Sequence, residues 1–210
     1  MIHKDVCFEN IDNVLTTVGL VKWIGKEVAC PIGNSNQKDA ESVLRYIVDY
    51  VVGSSPKIEI GQTIGYHSWI LKFEDYSEEA FLLHEADAKG TGYVRGIDNA
   101  VRGVNEQSDI CRNFRALPMF PSFGQKIAIS KGIYEGLPLQ GVRYPSPEHM
   151  TGWWLTTDLY DGDIKSMMVV HYYHVVFARQ DIVKYLALPY GFRFHYTSGR
   201  GDVWFDGKIE

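Results

Sequence analysis

The chain has few of the residues that announce chemistry most directly. It holds three cysteines in 210 residues, Cys7, Cys30 and Cys111. They are far apart and odd in number, and no CxxC pair exists. That excludes a zinc knuckle and a thioredoxin-type motif. Reduced thiols in a reducing compartment are the plain expectation. No apolar run approaches the ~20 residues a membrane span needs. Met1-Ile2-His3-Lys4-Asp5 leads into no long apolar stretch of the signal-peptide kind. Cytoplasmic residence is expected by elimination, with no membrane partner. Positive charge is also short. Lys and Arg number 21 against 26 Asp and Glu, a formal net charge of −5. A large phosphate-binding surface, and with it nucleic acid, is not expected. Such mild acidity would suit a basic partner, but solubility explains it more simply.

Catalytic signatures are missing as well. HExxH is absent, and Gly61-Gln-Thr-Ile-Gly65 lacks the Lys-Ser/Thr of a P-loop. No GxGxxG opens a helix, and neither Ser130 nor Ser146 lies in a GxSxG elbow. No cofactor, metal or catalytic residue is expected. His171-Tyr-Tyr-His174 could share a metal on a helix. On a strand the two rings point to opposite faces, and the flanking valines favour the strand. Asp158-Leu-Tyr-Asp161-Gly162-Asp163 could hold calcium, but its spacing is not that of an EF-hand, and turn chemistry accounts for it. These residues leave one enzymatic alternative, a small metal-dependent hydrolase using His171, His174 and Asp158. A ligand-binding regulatory module is a second alternative.

What is present is apolar and aromatic. Hydrophobic residues make up 45%, with 13 Tyr, 10 Phe and 5 Trp, enough for a full core without staples. Val43, Leu44, Ile47, Val48, Val51 and Val52 recur at helical spacing, which predicts a helix over Ala40–Val52 with Asp39 as its cap. Strands are expected at Ile58–Ile60, Tyr66–Phe73, Phe81–Glu85, Lys126–Ser130 and Trp153–Thr156. Ser166–Val176 is read as strand at least in part. Thr91–Gly96 reads as a loop, and Ile97–Phe114 as an amphipathic helix. A short helix is expected at Arg179–Leu186. Phe192–Tyr196 and Asp202–Phe205 flank Thr197–Gly201, a hairpin with a five-residue loop. The turn-rich stretch about residues 135–150 is the best boundary between two modules, 1–135 and 136–210. The fold class is α+β with largely antiparallel sheets.

Two surfaces suit a macromolecular partner. Glu74, Asp75, Glu78 and Glu79 set four carboxylates in six residues, which could dock a basic surface or form a solvated loop. Pro145 and Pro147 stiffen a loop leading into Trp153-Trp154. If that is a strand, one Trp faces the core and the other the opposite side. An exposed Trp is a natural interface anchor. Trp153, Trp154, Tyr160 and Asp161 are therefore candidate contact residues.

The stretches Arg143–Asp158, His171–His174, Asp181–Phe194 and Asp202–Asp206 resemble bacterial immunity proteins of polymorphic-toxin systems, in particular the thirty-third class of immunity domain. The Gly152-Trp-Trp strand and Tyr185-Leu-Ala-Leu-Pro-Tyr-Gly-Phe-Arg-Phe194 are the most characteristic pieces. Gly61–Gly65, Leu83–Asp87, Gln107 with Cys111, and Phe120–Gln125 more faintly resemble an immunity-like domain often found with it, covering residues 40–130. The resemblance implies a cytoplasmic, non-enzymatic antidote that binds and neutralises a cognate toxin effector, one delivered by type VI secretion in some systems. It supplies no catalytic residue and no cofactor. It leaves the toxin unnamed and a homodimer open.

Overall fold

A computed structural model describes residues 2–209. The chain forms two compact units, one ending at Arg102 and one beginning at Gly103.

The first unit is built from β1 (Ile2–His3), β2 (Val6–Ile11), β3 (Val14–Val18), a one-turn α1 (Val21–Ile24), β4 (Glu27–Pro31), α2 (Gln37–Ser54), β5 (Thr63–Tyr66), β6 (Trp69–Asp75), β7 (Ala80–Ala86), β8 (Tyr93–Arg95) and the start of α3 (Asp98–Asn113). Its eight strands run in the order β1-β2-β3-β4-β7-β6-β5, with β8 also on β7. Only β4 and β7 pair in parallel. The α2 helix buries Ala40, Val43, Leu44, Ile47, Val48 and Val51 and packs on β3 and β4. It begins earlier than expected because Asn36, not Asp39, is the cap. The Asn36 side chain accepts from the Asp39 N–H at 3.0 Å, which satisfies one of the orphan donors of the first turn. Glu85 does similar work for α3. It is buried and accepts from the Asn99 and Ala100 N–H groups at 2.9 and 2.7 Å. Burial raises its pKa.

Three expectations fail in this unit. Ile58–Ile60 is not a strand. Tyr66–Phe73 is not one strand: Tyr66 ends β5, residues 67–68 turn with His67 at φ 50°, and only Trp69–Phe73 run on as strand, in β6. Tyr66 is consequently buried, its ring 5.2 Å from Tyr46. Thr91–Gly96 is not all loop, because β8 pairs there with β7.

The second unit contains the rest of α3, then β9 (Lys126–Ile129), β10 (Leu139–Arg143), β11 (Met150–Thr156), β12 (Met168–His171), α4 (Tyr172–Ala178), a 3-10 segment over Gln180–Tyr185, β13 (Phe192–Thr197) and β14 (Arg200–Phe205). Its six strands run β12-β9-β11-β10-β13-β14. All pairs are antiparallel except β9 with β11. The α+β class with two mixed sheets is therefore established.

The boundary differs from the turn-rich stretch about residues 135–150. β9 is an interior strand of the second sheet, between β12 and β11, and β10 lies inside the stretch read as turns. Gly141 misleads because it reads as a breaker but serves packing. A Cβ there would lie 2.2 Å from the Phe194 ring. The predicted helix at 179–186 is a 3-10 segment. The last hairpin is tighter than predicted. Thr197 pairs with Arg200, leaving Ser198 and Gly199, both at positive φ, as a two-residue turn of the kind that matches strand twist.

The Arg179 guanidinium, 3% exposed, holds Asp181 with bonds of 3.0 and 2.9 Å. Burial pushes the Asp181 pKa up, but the two Arg179 bonds and its charge outweigh this and leave it lowered. A carboxylate with a depressed folded-state pKa stabilises above its unfolded value and loses that contribution as pH falls through the folded one. Asp181 is 38% exposed on its side chain, so solvent screening discounts the pair. Asp181→Asn is expected to cost about 1 kcal/mol at pH 7. The stabilities of both proteins in urea should converge as the pH falls well below the ordinary aspartate range.

Candidate interaction face

β10, β11, β13 and β14 present one face to the helical segments and the other to solvent. Cross-strand register places the residues. Val142 lies opposite Trp154 on one side and Arg193 on the other, and Arg193 lies opposite Trp204. The next row is Thr156, Gln140, His195 and Asp202. Every residue in these two rows is half-buried or exposed. Their chain neighbours Leu139, Gly141, Arg143, Trp153, Leu155, Phe192 and Phe194 are buried, as the side-chain period of two requires.

The two tryptophans therefore separate, and Trp153 is corrected. It has no exposed surface, its Nε1–H donates to the Leu186 carbonyl at 2.8 Å, and its ring meets Phe194 edge-on at 5.3 Å. It belongs to the core and cannot anchor a partner. Trp154 is half-buried, with Tyr144 edge-on at 6.1 Å. Together with Pro145, Ser146, Pro147 and Met150 these rings line an open apolar recess of about 400 Å³. Trp204, at 42% exposed, stands at the other end of the row. Between them Arg193 is paired with Asp206 at 2.9 Å. Sequence reasoning missed Val142, Arg193 and Trp204 as members of this face. The signal was available in the alternation of the last hairpin, which pairs Trp204 with Arg193 once the turn is shortened to two residues.

A buried cation holds the face in shape. Arg143 is buried. Its Nε donates to the Thr151 carbonyl at 2.8 Å. Nη1 reaches the carbonyls of Met119, Leu186 and Leu188 at 2.8, 3.2 and 2.6 Å. The guanidinium also sits 5.3 Å from the Tyr190 ring centre and 5.7 Å from that of Trp153. Burial, the largest influence, lowers its pKa to about 10, so it stays charged at neutral pH. Among the described residues no carboxylate forms an ion pair with it. Carbonyl dipoles and ring faces hold the charge instead. Nearby, Gly152 sits at φ +82°, where a Cβ would lie 2.3 Å from the Tyr144 carbonyl oxygen. Gly152→Ala is expected to cost about 2 kcal/mol or more in a thermal melt, from strain and collision together.

Residues 106–206 match the Imm33-like domain model. This stretch, just under half of the chain, is similar to the Imm33-like domain family. No curated protein and no solved structure matches the chain. The Imm33-like domain begins well before Arg143, so Gln107, Cys111 and Phe120–Gln125 fall inside it rather than in a separate upstream module. No family model covers the N-terminal half.

The remaining candidates are dispersed. Within the Imm33-like domain, Tyr160 is half-buried and Asp161 exposed. Asp161 accepts from the Asp163 N–H and the Ser166 hydroxyl at 2.9 and 2.8 Å. These bonds lower its pKa and assign it a turn role. His171 ends β12 and His174 lies on α4, both exposed, with ring centres 6.2 Å apart. The strand reading of Ser166–Val176 thus holds only through His171. Among the described residues, no group of three or more His, Cys, Asp and Glu side chains is placed to hold a metal, so His171, His174 and Asp158 do not gather. In the first unit, Glu74 pairs with Lys72 at 2.5 Å and Asp75 with Lys26 at 3.6 Å. Glu78 and Glu79 are exposed. Half of the acidic run is thereby neutralised. No helix is long and apolar enough to cross a membrane among the described residues.

Proposed function

We propose that the chain is a non-enzymatic immunity protein that binds a cognate toxin and blocks it stoichiometrically in the cytoplasm, the toxin being a polymorphic effector such as one delivered by type VI secretion. The similarity of residues 106–206 to the Imm33-like domain family carries the reading. The solvent-facing sheet of that domain is the proposed contact surface. It has Trp154 and Trp204 as anchors, Val142 between them, and the apolar recess to receive a side chain of the toxin. Aromatic anchors in well-packed settings dominate interface energetics. Tyr160 and Asp161 lie on the segment that follows β11 and extend the surface in this proposal. Glu78 and Glu79, with Glu74 and Asp75 partly offset by lysines, contribute steering toward a basic toxin rather than affinity. A standard interface would bury about 1,600 Å² in total.

Co-expression with the product of the neighbouring effector gene tests this. The expected result is restored growth and a one-to-one complex on co-purification. Continued toxicity together with separate elution would refute the reading. A small apolar molecule retained in the recess after purification would favour the ligand-binding alternative.

A further inference from the structure

The outermost strand of the second sheet is complementary to itself. Tyr172 N–H donates to the Gln125 carbonyl at 2.8 Å, and the register continues as His171 with Lys126, Val170 with Ile127, Val169 with Ala128 and Met168 with Ile129. Antiparallel pairs alternate between hydrogen-bonded and non-bonded. Tyr172, Val170 and Met168 therefore point their backbone groups toward β9. Val169 and His171 point theirs outward, as does Met167, which keeps an extended conformation at φ −78° and ψ 138°. The β9 bonds agree, since Lys126 and Ser130 turn their N–H groups the other way, to His149 and Leu155.

Some outward groups are already used. His171 is the N-cap of α4, so its carbonyl accepts the first helical bond. The Met167 N–H donates to the Ile164 carbonyl at 3.1 Å. What remains is the N–H and C=O of Val169, the N–H of His171 and the C=O of Met167. Two copies of the strand, antiparallel and centred on Val169, match these groups completely. Val169 exchanges both bonds with its counterpart, and each His171 N–H meets the other copy's Met167 carbonyl. The used pair, the Met167 N–H and the His171 carbonyl, would otherwise face each other in that register, so neither is left wanting.

The side chains point the same way. A free edge is ordinarily guarded by charge, proline or a bulge. β12 is short, at four residues, but carries no Lys, Arg, Asp, Glu, proline or bulge, and Met168 and Val169 are 42% and 56% exposed. β14, the opposite edge, bears Arg200 and Asp202.

We infer that β12 is a homodimer interface, in which two copies join their six-stranded sheets into one of about twelve strands. Val169 lies in the row that continues through Ala128 to Trp154, so the joined sheet shows two copies of the proposed toxin face on one side. The inference does not depend on toxin binding.

Sedimentation velocity of the full chain across the micromolar range should show a concentration-dependent dimer. Val169→Lys sets like charges opposite each other on the axis and should raise the dissociation constant about tenfold or more, with an unchanged melt at concentrations where both proteins are monomeric, because the side chain is exposed there. In a Cys7→Ser background, Val169→Cys treated with oxidised glutathione should form an intermolecular disulfide, since directly paired strand residues come within bridging distance. Asp202→Cys in the same background should not. A monomer at every concentration, a dimer unaffected by Val169→Lys, or equal cross-linking at the two positions would overturn the inference.

Discussion

Alanine at Trp154 and alanine at Trp153 are expected to give opposite phenotypes although the residues are adjacent. Trp153→Ala removes a ring with no exposed surface, packed on Phe194 and bonded to the Leu186 carbonyl. It should cost about 3–5 kcal/mol of stability, the usual toll for a buried aromatic truncated to alanine. Trp154→Ala and Trp204→Ala remove rings on the solvent face and should leave the unfolding midpoint within about 1 kcal/mol of wild type. Against the cognate toxin each should weaken binding by about 2 kcal/mol, roughly thirtyfold. Titration calorimetry of the three variants, beside denaturant unfolding of each, separates the effects. Toxin binding unchanged in both Trp154→Ala and Trp204→Ala would place the interface elsewhere on the chain.

Replacing Arg143 should produce the largest single loss of stability outside the aromatic core. The guanidinium bonds four carbonyls on three separate stretches, Met119, Thr151 and the pair Leu186 and Leu188. Arg143→Met keeps most of the volume but orphans those acceptors in a site closed to water. Leaving buried polar groups without partners, after removing a charge that satisfied them, is expected to cost roughly 3–5 kcal/mol. Arg143→Lys keeps the charge but loses the planar fork, so it should recover only part of the loss. Because the site is buried, the deficit should persist in high salt, unlike that of a surface ion pair. Urea unfolding of the three proteins at low and high ionic strength checks both points. A Met variant as stable as wild type would mean that Arg143 is not what joins these segments.

The two predictions rest on one piece of geometry. Arg143 and Trp153 face inward from adjacent strands, opposite each other in register, and Val142 and Trp154 face outward as the next pair. The core pair sets the spacing and twist on which the outer pair is displayed. Destabilising the inner pair should therefore also weaken toxin binding, indirectly, whereas changes to the outer pair should not disturb folding.

Local chemistry was enough to determine some of this protein from sequence. The apolar spacing of Val43, Leu44, Ile47, Val48 and Val51 specifies α2, because a helix repeats its buried face every 3.6 residues whatever it packs against. The alternation around Trp153 and Trp154 meant that the two rings must part company, since a strand sends neighbours to opposite faces. The stretches between Arg143 and Asp206 carried the family resemblance for the C-terminal half. Only tertiary packing decided which tryptophan lay inside, because that depends on which side of the sheet the helical segments cover. It also decided that Gly141 sits in a strand, since the glycine makes room for a Phe194 ring more than fifty residues away in sequence. Separation along the chain likewise hid the pairing of β9 with β11 and β12, and so shifted the division between units from the turn-rich stretch to α3. The role of Arg143 was hidden for a related reason. Its partners are backbone carbonyls, which every residue possesses and no sequence pattern marks.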